Sequence, residues 1–249
     1  MAGHSKWHNI KRRKESQDAK RAKVFTKLSK EIFAAVRESG DDPDTNLRLR
    51  MALTKARAEN VPSDNIERTI KKASGESGAV DYEAFTYEGY GPGGAAVLVQ
   101  TLTENKNRTV SEVRHAFSKH GGNLGENGCV SFMFNRKGQL IIEREEEMDE
   151  EDFTLEAIEA GGEEIDYDEN WFYIQTEPDD FENVKKTLED NGYTFSKAEI
   201  ILFPDVNTTL NDEHAEKMMK LIDALEDNDD VQNVYHNFEV EEEQLARLS

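Results

Sequence analysis

GQLIIEREEEMDEEDFTLEAIEAGGEEIDYDENWFYIQTEPDDFENVKKTLEDNGYTFSKAEIILF, residues 138–203, reads as a domain complete in itself. The pattern predicts a strand at Gln139–Glu143, a helix at Phe153–Ala160, strands around Glu164–Asp166 and at Trp171–Thr176, a helix at Phe181–Asn191 and a last strand at Ser196–Phe203. Two strand, helix, strand halves in tandem are the element order of a ferredoxin-like sandwich. On its N-terminal side, residues 82–135 predict one strand, helix, strand unit: a buried strand at Ala95–Thr101, an amphipathic helix at Val110–His120 and a strand at Val130–Phe134. On its C-terminal side, a helix at Asn211–Glu226 and a strand at Val231–Glu239 would alone make half a domain. The economical solution is that this tail completes the unit begun at Phe85, so that residues 138–203 are an insertion. The expected fold class is α+β, a three-helix head plus two α/β sandwich domains with the ferredoxin-like one inserted into the other. The expected domains are 1–78, 79–137 with 204–249, and 138–203.

The head is a different electrostatic object from the rest. Residues 1–78 hold 18 Lys and Arg against 11 Asp and Glu, whereas residues 79–249 hold 13 against 41, within a chain whose formal net charge is −21. Net charge alone would therefore exclude a nucleic-acid partner, and the distribution of charge readmits one. Ten of the cations fall in residues 1–30: Lys6, Lys11, Arg12, Arg13, Lys14, Lys20, Arg21, Lys23, Lys27 and Lys30. Apolar residues are nearly absent before Val24, so the opening has little to bury and is expected to be a mobile arm that orders on an anionic partner. Within it His4, Trp7 and His8 supply flat rings that can stack on a base or a sugar while the cations take phosphates. The structural alternative is that Trp7 and Ile10 tuck onto the helices behind them.

Three helices follow the arm. Phe25, Leu28, Ile32 and Val36 recur at helical steps between about Ser16 and Ser39, with Gly40 as the stop. Lys20, Lys23, Lys27 and Lys30 form another stripe of that helix, carrying the basic face onto a rigid element. A second helix from about Asn46 to Glu59 offers Leu47, Met51 and Ala58, and Asn60–Val61–Pro62 ends it. A third, with Ser63 as expected N-cap, shows Ile66, Ile70 and Ala73 and closes at Gly75, with residues 74–78 as a linker.

Four further stretches invite a site. Gly89-Tyr90-Gly91-Pro92-Gly93-Gly94 imitates a phosphate loop, but it precedes the strand and no Lys-Ser/Thr pair follows, which favours a turn. At Asn105–Thr109, Thr109 and Glu112 fit a capping box, and Lys106 and Arg108 would sit beside exposed helix N–H groups; phosphate contact and plain capping both fit these residues. Asp166–Asn170 with Glu177 imitates a calcium loop, yet Trp171 stands where the sharp turn requires glycine. Glu143–Asp152 holds eight acids in ten residues, by default a solvated face and in a sharper reading a mimic of nucleic acid that covers the basic arm.

Catalysis has no sequence signature. His4 and His8 lack a neighbouring carboxylate to complete a zinc set, His115, His120, His214 and His236 are scattered, and Cys129 lies in an apolar strand context. No catalytic residue, metal site or cofactor is expected, and a nuclease built from the many acids is the remote alternative. The single cysteine and the absence of a ~20-residue apolar span lead to the expectation of a soluble, cytoplasmic protein, taken as a monomer with no membrane partner.

End to end, the chain resembles the YebC family of probable transcriptional regulators. The resemblance is carried by Ala2–Trp7 with Asn9–Ile10, the Lys27–Ile32 helix, Asn60–Val61–Pro62 with Asn65–Ile66, Tyr87–Gly94 and Thr103–Thr109. It implies a three-domain fold with one α/β domain inserted in another. It also implies a cytoplasmic DNA-binding regulator, while mitochondrial relatives act as translational activators and some bacterial ones are linked to ribosomes. The expected function is a non-enzymatic nucleic-acid-binding regulator, DNA and transcription first, with ribosomal RNA and translation as the alternative and ribosomal proteins as further partners suited to the acidic domain.

Overall fold

The computed structural model describes residues 17–75, 81–145, 148–240, 244 and 247. The arm through residue 16, and with it the stacking role expected of His4, Trp7 and His8, lies outside the described residues, as do residues 76–80, which include part of the expected linker. The head begins with α1 (Gln17–Ser39), α2 (Leu47–Ala58) and α3 (Ser63–Ser74). Leu28, Ile32 and Val36 of α1 are buried with Leu49, Ala52, Leu53 and Ala56 of α2 and Ile66 and Ala73 of α3. α1 stops where Gly40 turns to φ +89°, its N–H donating to the Val36 carbonyl at 2.8 Å.

Two details of the head differ from expectation. Leu47 and Met51 are 60% and 47% exposed, because α2 is rotated to bury Leu49 and Leu53 with two alanines. Alanines do not stand out as core residues in a sequence, yet a short helix packed closely on its neighbour needs them. Pro62, not Ser63, occupies the N-cap position of α3. The strong cap is Asn46, which is buried: its Oδ1 accepts the Leu49 N–H at 3.0 Å, and its Nδ2 donates to the carbonyls of Ala35 and Gly40 at 2.7 Å each. One amide thus starts α2 and ties it to the end of α1.

Then follow β1 (Glu83–Tyr90), β2 (Ala96–Thr103), α4 (Lys106–Lys119), β3 (Asn123–Leu124), β4 (Phe134–Glu143), α5 (Glu150–Glu159), β5 (Glu164–Tyr167), β6 (Trp171–Thr176), α6 (Phe181–Asp190), β7 (Phe195–Pro204), β8 (Thr208–Thr209), α7 (Asp212–Glu226), β9 (Val231–His236) and β10 (Phe238–Glu239). Residues 132–207 form one compact unit and the other described residues a second. In the first, a sheet of order β5-β6-β4-β7, antiparallel at every pairing, carries α5 and α6 over Leu140, Phe172, Ile174, Val184 and Leu188. This is the ferredoxin-like order.

In the second unit the sheet runs β3-β1-β2-β9, with Glu83 opposite Thr103, Tyr90 opposite Ala96 and Val97 opposite His236. Val97 and Val99 pack under α4 through Val113 and Phe117 and under α7 through Met218 and Ile222. The strand expected at Val130–Phe134 is not formed: Ser131–Met133 is a single 3₁₀ turn, Phe132 is 73% exposed, and the strand starts at Phe134 and runs unbroken to Glu143. The buried Glu88 carboxylate explains it, accepting the N–H groups of Gly128, Val130 and Ser131 at 2.8, 2.9 and 2.8 Å, so that two N–H groups of the expected strand are held away from any ladder. Burial would raise the Glu88 pKa, and these backbone donors more than reverse it, leaving it lowered. The glycine-rich stretch closes the β1–β2 hairpin. A Cβ on Gly91 would meet Met218 Sδ of α7 at 2.5 Å, and one on Gly93, at φ +69°, would meet Leu210 just before α7 at 2.5 Å, so close approach accounts for both glycines.

Replacing Asn46 by alanine removes a cap and leaves two carbonyls without their donor. Urea unfolding is expected to show a loss of about 2–3 kcal/mol, whereas the exposed Thr45→Ala should change it by no more than about 0.5 kcal/mol.

Candidate nucleic-acid interface

The spacing of Lys23, Lys27 and Lys30 places all three on one face of α1, and that face meets the acidic turn between α7 and β9. Lys23 Nζ lies 2.7 Å from Asp227 Oδ1. Lys27 Nζ donates to the Glu226 carbonyl at 2.6 Å, and burial pushes the Lys27 pKa down against the opposing pull of Glu226 and Asp229. Lys30 Nζ donates to the Asp229 carbonyl at 2.9 Å, pairs with Asp230 Oδ1 at 2.7 Å and stands 5.8 Å from the centre of the Tyr82 ring. Three lysines expected to face a polyanion have an intramolecular one.

Asp230 is the centre of this contact, with its side chain only 5% exposed. Its Oδ2 accepts from Arg108 Nη2 at 2.8 Å, from the Thr109 hydroxyl at 2.8 Å and from the Thr103 hydroxyl at 3.2 Å. Burial alone would raise its pKa, and the hydrogen bonds from Lys30, Arg108 and Thr109 outweigh it, bringing the group to about 2. Of the residues expected at the interface, the structure brings Lys30 and Arg108 together on this carboxylate. Arg108 keeps a 43% exposed side chain. Lys106 is exposed, its Nζ 4.6 Å from the centre of the Phe85 ring. The expected capping box at Thr109 is corrected: Asn105 caps α4 by accepting the Arg108 N–H at 3.1 Å, and Thr109 is a buried interior residue of the helix. The reason is Asp230, which draws the Thr109 hydroxyl inward. Lys20 and Arg21 lie on α1; the remaining arm cations, Lys6, Lys11, Arg12, Arg13 and Lys14, lie outside the described residues.

The head also presents cations that the sequence pattern did not single out. Arg68, Lys71 and Lys72 are exposed neighbours on the last turns of α3, and none has an acidic partner among the described residues. The available signal is their i, i+3, i+4 spacing and the lack of an acid between Glu67 and the end of the helix. Placed there they also complement the negative end of the helix.

Other candidate stretches have structural roles. Asp149 caps α5 by accepting the N–H groups of Glu151 and Asp152 at 2.9 and 3.0 Å, so acids of the 143–152 run gather at the positive end of a helix. Asp168 Oδ1 accepts the N–H groups of Asn170 and Trp171, holding the β5–β6 turn in place of an ion. Burial, and after it Glu88, raises the Cys129 pKa, the opposite of what a nucleophile needs. Among the described residues no group of three His, Cys, Asp or Glu is placed to hold a metal ion, and no helix is long and apolar enough to cross a membrane.

Comparison with known proteins gives a consistent picture. Residues 5–76 match the family model described as the TACO1/YebC protein N-terminal domain, and residues 82–238 the model of the TACO1/YebC second and third domain. A "Probable transcriptional regulatory protein" of Geobacillus sp. (strain WCH70) is 58% identical over 240 residues, covering 96% of this chain and 98% of that protein. One of the same description from Clostridium novyi (strain NT) is 51% identical over 243 residues, covering 98% and 99%. The crystal structure of the conserved hypothetical protein Aq1575 from Aquifex aeolicus superposes with a TM-score of 0.81 at 45% identity, covering 92% of this chain and 96% of that one.

The Asp230 carboxylate is held below its ordinary range, so its contribution to stability is complete above about pH 4 and is lost as pH falls toward 2. Asp230→Asn should therefore lower stability by about 2–3 kcal/mol at pH 7. In paired denaturation curves the gap between variant and wild type should narrow steadily below pH 4.

Proposed function

The chain belongs to the TACO1/YebC family, and from that premise we propose that it is a nucleic-acid-binding regulator of gene expression that binds DNA in transcription and catalyses no reaction. The observation that carries this reading is the concentration of ten cations in residues 1–30 of a chain whose net charge is −21; Lys23, Lys27 and Lys30 are engaged within the chain, and the reading rests on the other seven. An otherwise acidic protein gathers positive charge at one end where it meets a polyanion. The exposed strip Arg68, Lys71 and Lys72 on α3 continues that charge on the folded head. The regulatory description shared by the Geobacillus and Clostridium relatives supports the same role. Such a regulator works as a monomer in the cytoplasm.

One observation favours a second reading, a translation factor that contacts ribosomal RNA. Lys23, Lys27 and Lys30 of α1 are turned onto residues 226–230, so the rigid helix that sequence-specific readout of a major groove would use has these three cations already engaged. A basic segment beside a short cationic strip suits irregular RNA at least as well.

Replacing Lys11, Arg12, Arg13 and Lys14 together by alanine should weaken binding at least tenfold at low salt. The dependence of log K on log salt should flatten by about 0.9 for each phosphate that the arm no longer neutralises. Unchanged affinity and slope would remove the arm from the interface. Gradient sedimentation with crosslink sequencing separates the targets: discrete promoter DNA supports the first reading, and co-migration with ribosomal particles the second.

A further inference from the structure

Between α1 and α3 runs a groove of about 390 Å³, with Phe25, Phe33 and Tyr82 supplying flat walls and Asn65, Thr69 and Lys72 lining its α3 side. Its size is that of a pocket for a small planar ligand. Phe33 meets the Tyr82 ring edge-on at 5.7 Å, and Lys30 lies over that ring, which fixes one wall. Phe25 is only half-buried, so its ring remains available to a ligand. The Asn65 side chain makes no hydrogen bond among the described residues; it is the backbone carbonyl of Asn65 that accepts the Thr69 hydroxyl, at 2.8 Å. A free amide with both a donor and an acceptor matches the edge of a nucleobase.

The charge of the groove is as distinctive as its shape. No Asp or Glu lines it among the described residues, and since Lys30 is already paired with Asp230, Lys72 is the cation it offers a ligand. Lys72 continues into the exposed strip with Arg68 and Lys71, which gives a phosphate a place at the rim. Aromatic walls, a side-chain amide without a protein partner and an exposed lysine at the rim are the combination that single-strand binders use, with stacking on the ring and charge on the backbone. A lipid chain would leave the amide and lysine unmatched, and an acidic peptide would leave the flat walls unused.

We infer that this groove takes one unpaired nucleotide of a single strand, its base against Phe25 and Tyr82, its edge on the Asn65 amide and its phosphate toward Lys72. The inference deepens the nucleic-acid reading and rests on it. It assigns to the folded head a base-dependent contact that the arm's charge cannot supply.

The test uses the full-length chain and two fluorescently labelled hexanucleotides with equal phosphate count, one of adenosine and one abasic, titrated at a single low salt concentration. Wild type should bind the base-bearing strand about five- to hundredfold more tightly, the range that stacking of one base gives. Asn65→Ala and Phe25→Leu should cut that preference to about twofold or less while leaving the abasic affinity unchanged. Asn65→Ala removes no buried residue, and matching circular dichroism and thermal unfolding establish that each variant is folded. A preference that survives both substitutions overturns the inference, and so does equal binding of the two strands by wild type, which leaves arm-driven binding standing. Binding of neither strand, together with no shift of duplex DNA, overturns the nucleic-acid reading as well. Repeating the titration with the deoxy strand should give the same preference for the base-bearing strand and the same loss in Asn65→Ala, since the contact is with the base; a deoxy preference that survives Asn65→Ala overturns the inference.

Discussion

The Asp230 carboxylate gathers side chains from regions distant in sequence: Lys30 of α1, Thr103 of β2, and Arg108 and Thr109 of α4. A buried carboxylate without partners would be expensive; with two cations and two hydroxyls around it, both of its oxygens are satisfied. The head packs beside the sheet through this group, and the lysines that precede Lys30 in the α1 stripe, together with Lys30 itself, extend the contact to Glu226, Asp227 and Asp229. The hydrogen bonds to this carboxylate outweigh its desolvation, and their directions admit few arrangements of the groups around it. It orients α1, and with α1 the groove that α1 forms with α3.

This arrangement separates the cations of the head into two kinds. Lys23, Lys27 and Lys30 have their charge matched within the chain, so their field outside it is weak. Arg68, Lys71 and Lys72 are exposed and keep theirs. Residues 132–207 carry 23 acidic against 6 basic residues, which repels polyanions over that unit. A strongly acidic protein can bind an anionic polymer only if such zones stay distinct at a scale comparable with the Debye length, about 8 Å in physiological salt.

The inserted unit is the most legible part of the chain. Its helices end at Gly161–Gly162 and at Asn191–Gly192, and each strand is a short apolar run, so local signals agree with one another. β1 is hidden because it ends in Glu88–Gly89–Tyr90, where a buried acid and a glycine imitate the start of a loop; the acid is internal because three backbone N–H groups need it. Val130–Phe134 looks like a strand for the complementary reason: alternation reports where side chains point and is silent about who holds the backbone N–H groups. The α1 lysines are readable as a stripe, but a stripe does not announce its partner, and the Glu226–Asp230 turn looks like ordinary solvated surface. The groove is invisible in sequence because its walls come from positions as far apart as Phe25 and Tyr82.

The partners of the α1 lysines lie about 200 positions downstream, at residues 226–230. During synthesis, which proceeds from the N-terminus at about 5–20 residues per second, α1 therefore emerges about ten or more seconds before the residues that neutralise it. Through that interval Lys23, Lys27 and Lys30 have no Asp227, Asp229 or Asp230 to bind, and β2 lacks the β9 neighbour that completes its sheet. A nascent or prematurely terminated chain is thus more cationic at its head than the finished protein. Release of the last segment both closes the sheet and pairs three positive charges with groups of the chain itself.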